Sequence, residues 1–84
     1  MITINTIRPN YTTITTPTHI TAFSYDTPIA STRSGKTYLH DAWDYSRTTG
    51  LHRNDFLNEG IADTRLKIVD GTYTLISYKD FCNA

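Results

Sequence analysis

Eighty-four residues with zero formal net charge, 38% hydrophobic and 19% charged, describe one small domain, because so short a chain cannot enclose two independent cores. Apolar runs of only a few residues exclude a membrane-spanning helix of about 20, and eight Lys plus Arg against eight Asp plus Glu leave no whole-molecule field to draw in nucleic acid or anionic lipid. The lone cysteine, Cys82, excludes an intramolecular disulfide. Met1-Ile-Thr-Ile lacks the basic start and small-residue cleavage site of a signal peptide, so a cytosolic protein is expected.

Sixteen threonines and nine isoleucines, both β-branched, favour a sheet as the larger half of the fold. A core this small stabilises by only about 3 to 5 kcal/mol, which makes oligomerisation or a partner an expectation.

Residues 1–18 form an N-terminal strand or arm. Ile2 and Ile4 alternate with Thr3 and Asn5, which fits a strand over residues 2–7, whereas residues 10–17 have too few apolar groups to bury. Residues 19–84 form a single α+β domain. It begins with a strand from His19 to Ala30, bent or at an edge where Pro28 withholds a ladder donor, then turns at Arg33-Ser-Gly-Lys36 into a second strand, Thr37 to Trp43. Hydroxyls at Ser46, Thr48 and Thr49 precede Leu51, Phe56 and Leu57 at near-helical spacing, with Gly60 after them; this predicts a helix over about residues 49–59. Asp70-Gly71 between Thr64–Val69 and Thr72–Tyr78 predicts a type I′ hairpin, with Leu66, Ile68, Tyr73 and Leu75 on one buried face. The tail from Lys79 frays or makes one helical turn. The expected fold is therefore α+β: a small antiparallel sheet, ββαββ with room for an extra N-terminal strand, and one helix packed on it.

Few motifs point to chemistry. Ala30-Ser-Thr-Arg-Ser-Gly-Lys-Thr37 fits a relaxed phosphate-loop pattern, but strand-like residues follow where a long helix is required, so a Gly-Lys hairpin turn is the better reading. His19, His40 and His52 match no recurring metal-ligand spacing, and no metal or other cofactor is expected. Cys82 lies two residues from the end, where no base could be held against it, so nucleophilic catalysis is not expected. The stretch around residues 45–53 is the richest. Free amides at a helix start, hydroxyls at Thr48 and Thr49, and Arg47, His52 and Arg53 could hold an anionic group, although capping alone explains a hydroxyl there. Tyr25, Trp43 and Tyr45 are more large amphipathic rings than this core can hide, which suits a contact surface.

Ser24-Tyr-Asp-Thr-Pro-Ile-Ala30, then Gly35-Lys-x-Tyr38 and Tyr45-Ser-Arg-Thr-Thr-Gly-Leu-His52, resemble a family of small, functionally uncharacterised tailed-phage proteins. The pattern there is roughly S-Y-x-T-x-I-A, a hairpin, then Y-S-x-T-T-S/G-x-H opening a helix, covering about residues 22–57. The resemblance implies a phage origin, a ββα unit and no known enzyme chemistry. The function expected is therefore that of a non-catalytic accessory protein in the host cytoplasm, binding and inhibiting a host protein in takeover or anti-defence. The binding residues expected are Tyr25, Trp43, Tyr45, Arg47, Thr48, Thr49, His52 and Arg53, and self-association is expected through the Ile/Thr-rich N-terminus. The alternative is a nucleic-acid or nucleotide-phosphate binding module that uses the helix start.

Overall fold

The computed structural model describes residues 2–83. Five strands follow one another along the chain: β1 (Thr3–Arg8), β2 (Tyr11–Thr15), β3 (Ile20–Ser24), β4 (Thr27–Arg33) and β5 (Lys36–Leu39). Helices α1 (Arg47–Leu57) and α2 (Ile61–Val69) come next, then β6 (Tyr73–Leu75) and α3 (Tyr78–Asn83). The six strands form one sheet in the order β1-β2-β3-β4-β5-β6. Each neighbouring pair through β5 is antiparallel, and β6 returns parallel to β5 after the two helices.

The fold is α+β as expected, but it departs from a one-helix ββαββ on an antiparallel sheet: β6 runs parallel to β5, α3 is a further helix, and three other segments differ. Residues 19–30 are two strands rather than one, because the chain reverses at Tyr25-Asp26 and pairs Ser24 with Thr27. Residues 11–15, which carry few apolar groups, are a strand within the sheet, secured by Tyr11 at 2% exposure. The largest departure is residues 61–69, which are helix α2 and not the first arm of a hairpin. Asp70 caps that helix, and Gly71 follows at φ 85, so the Asp-Gly pair serves a helix end instead of a type I′ turn. Of the four residues expected in the core, Tyr73 is buried and Ile68 packs against it, whereas Leu66 (66%) and Leu75 (54%) are exposed.

The register assigns the two sheet faces. Tyr11 pairs with Ser24, Thr13 with Ala22, Ala22 with Ala30, Ala30 with Leu39, and Leu39 with Leu75, so these residues share a face. α1 lies on this side, with Thr49 and His52 against Ser24. A bulge places Ile29 as an extra residue opposite the step from Ala22 to Phe23; Ile29 and Ala30, neighbours in sequence, are then both fully buried in the core cluster of Tyr11, Ala22, Leu39 and Tyr73. The other face carries Ile4, Ile14, Thr21, Ser31 and Tyr38 in one row, and α3 covers part of it with Phe81, which is fully buried. Phe81 packs on His19, Tyr38 and His40, with the Arg33 guanidinium 4.2 Å from its ring centre.

Polar clusters lie where the helices meet the sheet. Under α3, Thr21, Ser31 and His40 form a chain with Oγ1 to Oγ at 2.7 Å and Oγ to Nε2 at 2.7 Å, while His40 Nδ1 lies 3.0 Å from the Ile76 carbonyl. The carbonyl can only accept, so Nδ1 carries the proton, Nε2 accepts from Ser31, and Thr21 donates to Ser31. Burial then lowers the His40 pKa, opposed by its bond to Ile76, and the imidazole stays neutral. Beside α2, Glu59 accepts from Thr64 at 2.7 Å, Lys67 at 2.6 Å and Tyr73 at 2.8 Å. This cluster fixes a helix that its β-branched residues do not favour on their own.

Candidate functional site

The site is built where the β3–β4 turn meets the start of α1. Ser46 is the N-cap of α1; its Oγ accepts from the Thr49 amide at 3.2 Å and donates to Thr49 Oγ1 at 3.1 Å. Thr49 Oγ1 lies 3.4 Å from Ser24 Oγ, which lies 2.8 Å from His52 Nδ1. Donation running from Ser46 through Thr49 and Ser24 makes Nδ1 the acceptor and leaves the His52 proton on Nε2. Burial lowers the His52 pKa, with Arg8 adding to the shift, and the ring stacks on Tyr11 at 4.9 Å between centroids. Burial, and then Asp55 beside it, push Tyr11 up to about 12.

Above this floor lies a cavity of about 300 Å³, lined by Ser24, Tyr25, Thr27, Ala42, Tyr45, Ser46 and Thr49. Two tyrosines form its rim, Tyr25 at 54% exposure and Tyr45 at 83%. Tyr25 sits at φ 59, a left-handed conformation that costs a bulky residue roughly 1 to 2 kcal/mol. Its amide donates to the Asn10 carbonyl at 2.7 Å, which ties the β3–β4 turn to the β1–β2 turn and holds the strained residue in place. Two turns and a helix cap thus fix the rim.

The eight residues expected to bind do not form one patch. Tyr25, Tyr45 and Thr49 line the cavity, and Arg47 and Thr48 are exposed on the first turn of α1 next to it. His52 lies behind the floor and borders a separate hollow with Arg8, Tyr11 and Asp55. Trp43 and Arg53 are used elsewhere. The Arg53 side chain is 3% exposed; its Nη1 donates to Asp44 Oδ1 at 3.0 Å and to the Trp43 carbonyl at 3.1 Å, while Nε and Nη2 donate to Asn54 Oδ1. The guanidinium also lies 5.4 Å from the Trp43 ring centre. Ser24, Thr27, Ala42 and Ser46 complete the cavity and are not among the binding residues expected. The sequence offers Ser46 only as a helix cap, and the Ser24 and Thr27 hydroxyls only as the flanks of the Tyr25-Asp26 reversal.

Other chemistry finds less support in the geometry. The relaxed phosphate-loop stretch is the β4–β5 hairpin, with Ser34 and Gly35 both at positive φ, and no long helix follows it. Among the described residues no three His, Cys, Asp or Glu side chains come together as metal ligands. No described helix is long and apolar enough to cross a membrane.

Residues 2–71 match a family of unknown function, DUF8033. No curated protein and no solved structure matches the chain.

Proposed function

The chain belongs to DUF8033, a family of unknown function, and we propose that it is a non-catalytic phage accessory protein that binds and inhibits a host protein in the host cytoplasm. The contact surface is the Tyr25–Tyr45 cavity with the adjoining first turn of α1. The observation that carries this reading is the placement of two large exposed tyrosines on the rim of one cavity, one of them held in a strained backbone conformation. Strain at Tyr25 contributes nothing to the core, since its ring is more than half exposed, and strained residues concentrate at binding sites. Tyrosine is also among the residues that dominate interface energetics. A cavity of about 300 Å³ lies at the bottom of the size range of small-molecule sites and fits one anchoring side chain of a partner.

A non-catalytic role is supported by the state of the Ser24–His52 pair. Ser24 is 2% exposed, and among the described residues no carboxylate hydrogen-bonds the His52 ring to orient it for proton transfer. The phosphate-binding alternative is weakened because Arg53 is consumed by Asp44, Trp43 and Asn54, and burial lowers the His52 pKa and so disfavours its charged form, which leaves Arg47 as the one arginine of the expected set still exposed.

The test is affinity capture from host lysate with and without nuclease, using the native chain and Tyr45→Ala side by side. A stoichiometric protein that survives nuclease and is lost from Tyr45→Ala supports the proposal. Capture of nucleic acid alone replaces it with the phosphate-binding reading. Self-association through the N-terminal strand is proposed to accompany this role.

A further inference from the structure

We propose that the hollow between the β1–β2 turn and α1 is a second binding site, and that it takes a small zwitterion of the α-amino-acid class with an apolar side chain. The ligand's carboxylate binds Arg8 and the His52 Nε2–H, and its ammonium binds Asp55. This site is separate from the Tyr25–Tyr45 surface and does not depend on the identity of any host partner.

The hollow has a volume of about 590 Å³, inside the size range of small-molecule sites, and Arg8, Tyr11, Leu51, His52 and Asp55 border it. His52 supplies the observation that points to a ligand. The residue is 7% exposed, its Nδ1 is taken by Ser24 at 2.8 Å, and its protonated Nε2 has no acceptor among the described residues. No enclosed side-chain nitrogen or oxygen among those residues lacks a partner, so Nε2 must reach an opening, and this hollow is the opening that His52 borders. An imidazole stacked on Tyr11 and fixed by Ser24 therefore holds an unused donor at a set position.

Charge decides what that donor meets. Arg8 Nη2 and Asp55 Oδ1 lie 3.9 Å apart, side by side with no hydrogen bond between them, and both side chains are open to solvent. Glu59, the other carboxylate at the hollow, is spent, because Oε1 accepts from Lys67 and Tyr73 and Oε2 accepts from Thr64. Apart from neutral amide and phenol groups, the hollow thus offers one cation, one anion and one ring donor.

A lone cation would face Arg8 and a ring that has only a proton to give. A phosphate dianion would be set against Asp55, and a simple carboxylate would take Arg8 and leave Asp55 without its counter-ion. A neutral ligand can accept from Nε2 but leaves Arg8 and Asp55 at their loose contact. Carboxylate and ammonium carried on one carbon satisfy all three groups at the close spacing of Arg8 and Asp55. Leu51, mostly exposed on the same hollow, is the apolar surface left for the ligand's side chain.

Backbone amide shifts of the isotope-labelled full chain, titrated at neutral pH with L-leucine to about 20 mM, test the site. Isocaproate, which is leucine without its ammonium, and isoamylamine, which is leucine without its carboxylate, are titrated in parallel. Leucine is expected to move the resonances of Arg8, His52 and Asp55 and to saturate with a Kd of about 1 mM or below, and the other two to bind at least tenfold more weakly. Arg8 and Asp55 are exposed, so Arg8→Gln and Asp55→Asn should fold normally, and each should weaken leucine binding by tenfold or more. Asp55→Asn removes only the ammonium's partner, so it should bind isocaproate at least as well as the native chain does. Absence of shifts at Arg8, His52 and Asp55 with leucine overturns the proposal. So does isocaproate or isoamylamine binding the native chain as tightly as leucine, or native affinity for leucine in Arg8→Gln and Asp55→Asn. Tyr45→Ala, which reads the other surface, should bind leucine like the native chain; loss of leucine binding there places the ligand in the Tyr25–Tyr45 cavity and also overturns the proposal.

Discussion

Arg53 Nη1 lies 3.0 Å from Asp44 Oδ1, in a side chain that is 3% exposed, and this pair closes the loop between β5 and α1 onto the helix. An arginine that looks solvent-facing in the sequence is thus a structural tie. Arg53→Ala would leave the Trp43 carbonyl without its donor and the Asp44 carboxylate with only the looser Arg65 contact at 3.7 Å. It is expected to lower stability by about 2 to 3 kcal/mol, less than a fully buried pair because Asp44 is 42% exposed. Urea denaturation of Arg53→Ala beside Arg47→Ala measures this. Arg47 is exposed, and its loss should change stability by under about 0.5 kcal/mol.

Gly71 stands at φ 85 directly after the C-cap of α2, with open space where a Cβ would lie. The strain of a substitution there is conformational alone. Gly71→Val should cost about 1 kcal/mol or more, and Gly71→Asn should recover most of that, since asparagine tolerates the left-handed region. Thermal melts of the two variants distinguish this from a steric effect, which would penalise both.

The Ser34-Gly35 turn and the α1 cap were legible in the sequence because each rests on local chemistry. Ser46 and its neighbouring hydroxyls before Leu51 read as an N-terminus, and Ser34-Gly35 as a hairpin. Two features were hidden for physical reasons. The reversal at Tyr25-Asp26 uses a tyrosine at positive φ, where glycine or asparagine would be the ordinary signal, so residues 19–30 look like one strand. In α2, Leu66 and Ile68 alternate as a strand would, and what makes the segment helical is tertiary: Thr64, fully buried, and Lys67 reach back to Glu59, which also holds Tyr73. The aromatic half of the candidate site, Tyr25 and Tyr45, was visible as surplus rings; the fate of Arg53 depended on Asp44 and Asn54 converging on it.

The same strain predicts a gain. Tyr25→Asn replaces a residue that resists φ 59 with one that accepts it, while removing a ring that is more than half exposed. Stability should rise by about 0.5 to 1 kcal/mol, and partner binding should weaken by tenfold or more, a trade of stability against function. Melting midpoints and affinities of the one variant check both halves.

Stability should fall in mild acid. His40 and His52 both have folded pKa values lowered from 6.5, chiefly by burial, so the unfolded chain takes up protons before the folded one does. Their contribution is full above about pH 6.5 and is lost as pH falls toward the folded values. Denaturation midpoints should therefore decline from pH 7 to pH 5. In His40→Gln, which loses one of the two groups, the decline should be shallower even though the variant is less stable at pH 7.

The most direct test of the binding surface is the affinity of the captured host protein for three chains: native, Tyr45→Ala and Arg47→Ala, each compared at low and high salt by titration calorimetry. At 83% exposure Tyr45 can be truncated without disturbing the fold, so a change in affinity reports contact. The expected result is a tenfold or greater loss for Tyr45→Ala, a smaller loss for Arg47→Ala, and weak dependence on salt. Unchanged affinity in a normally folded Tyr45→Ala, or binding that collapses with salt and with Arg47→Ala while ignoring Tyr45, would contradict a tyrosine-rimmed protein contact.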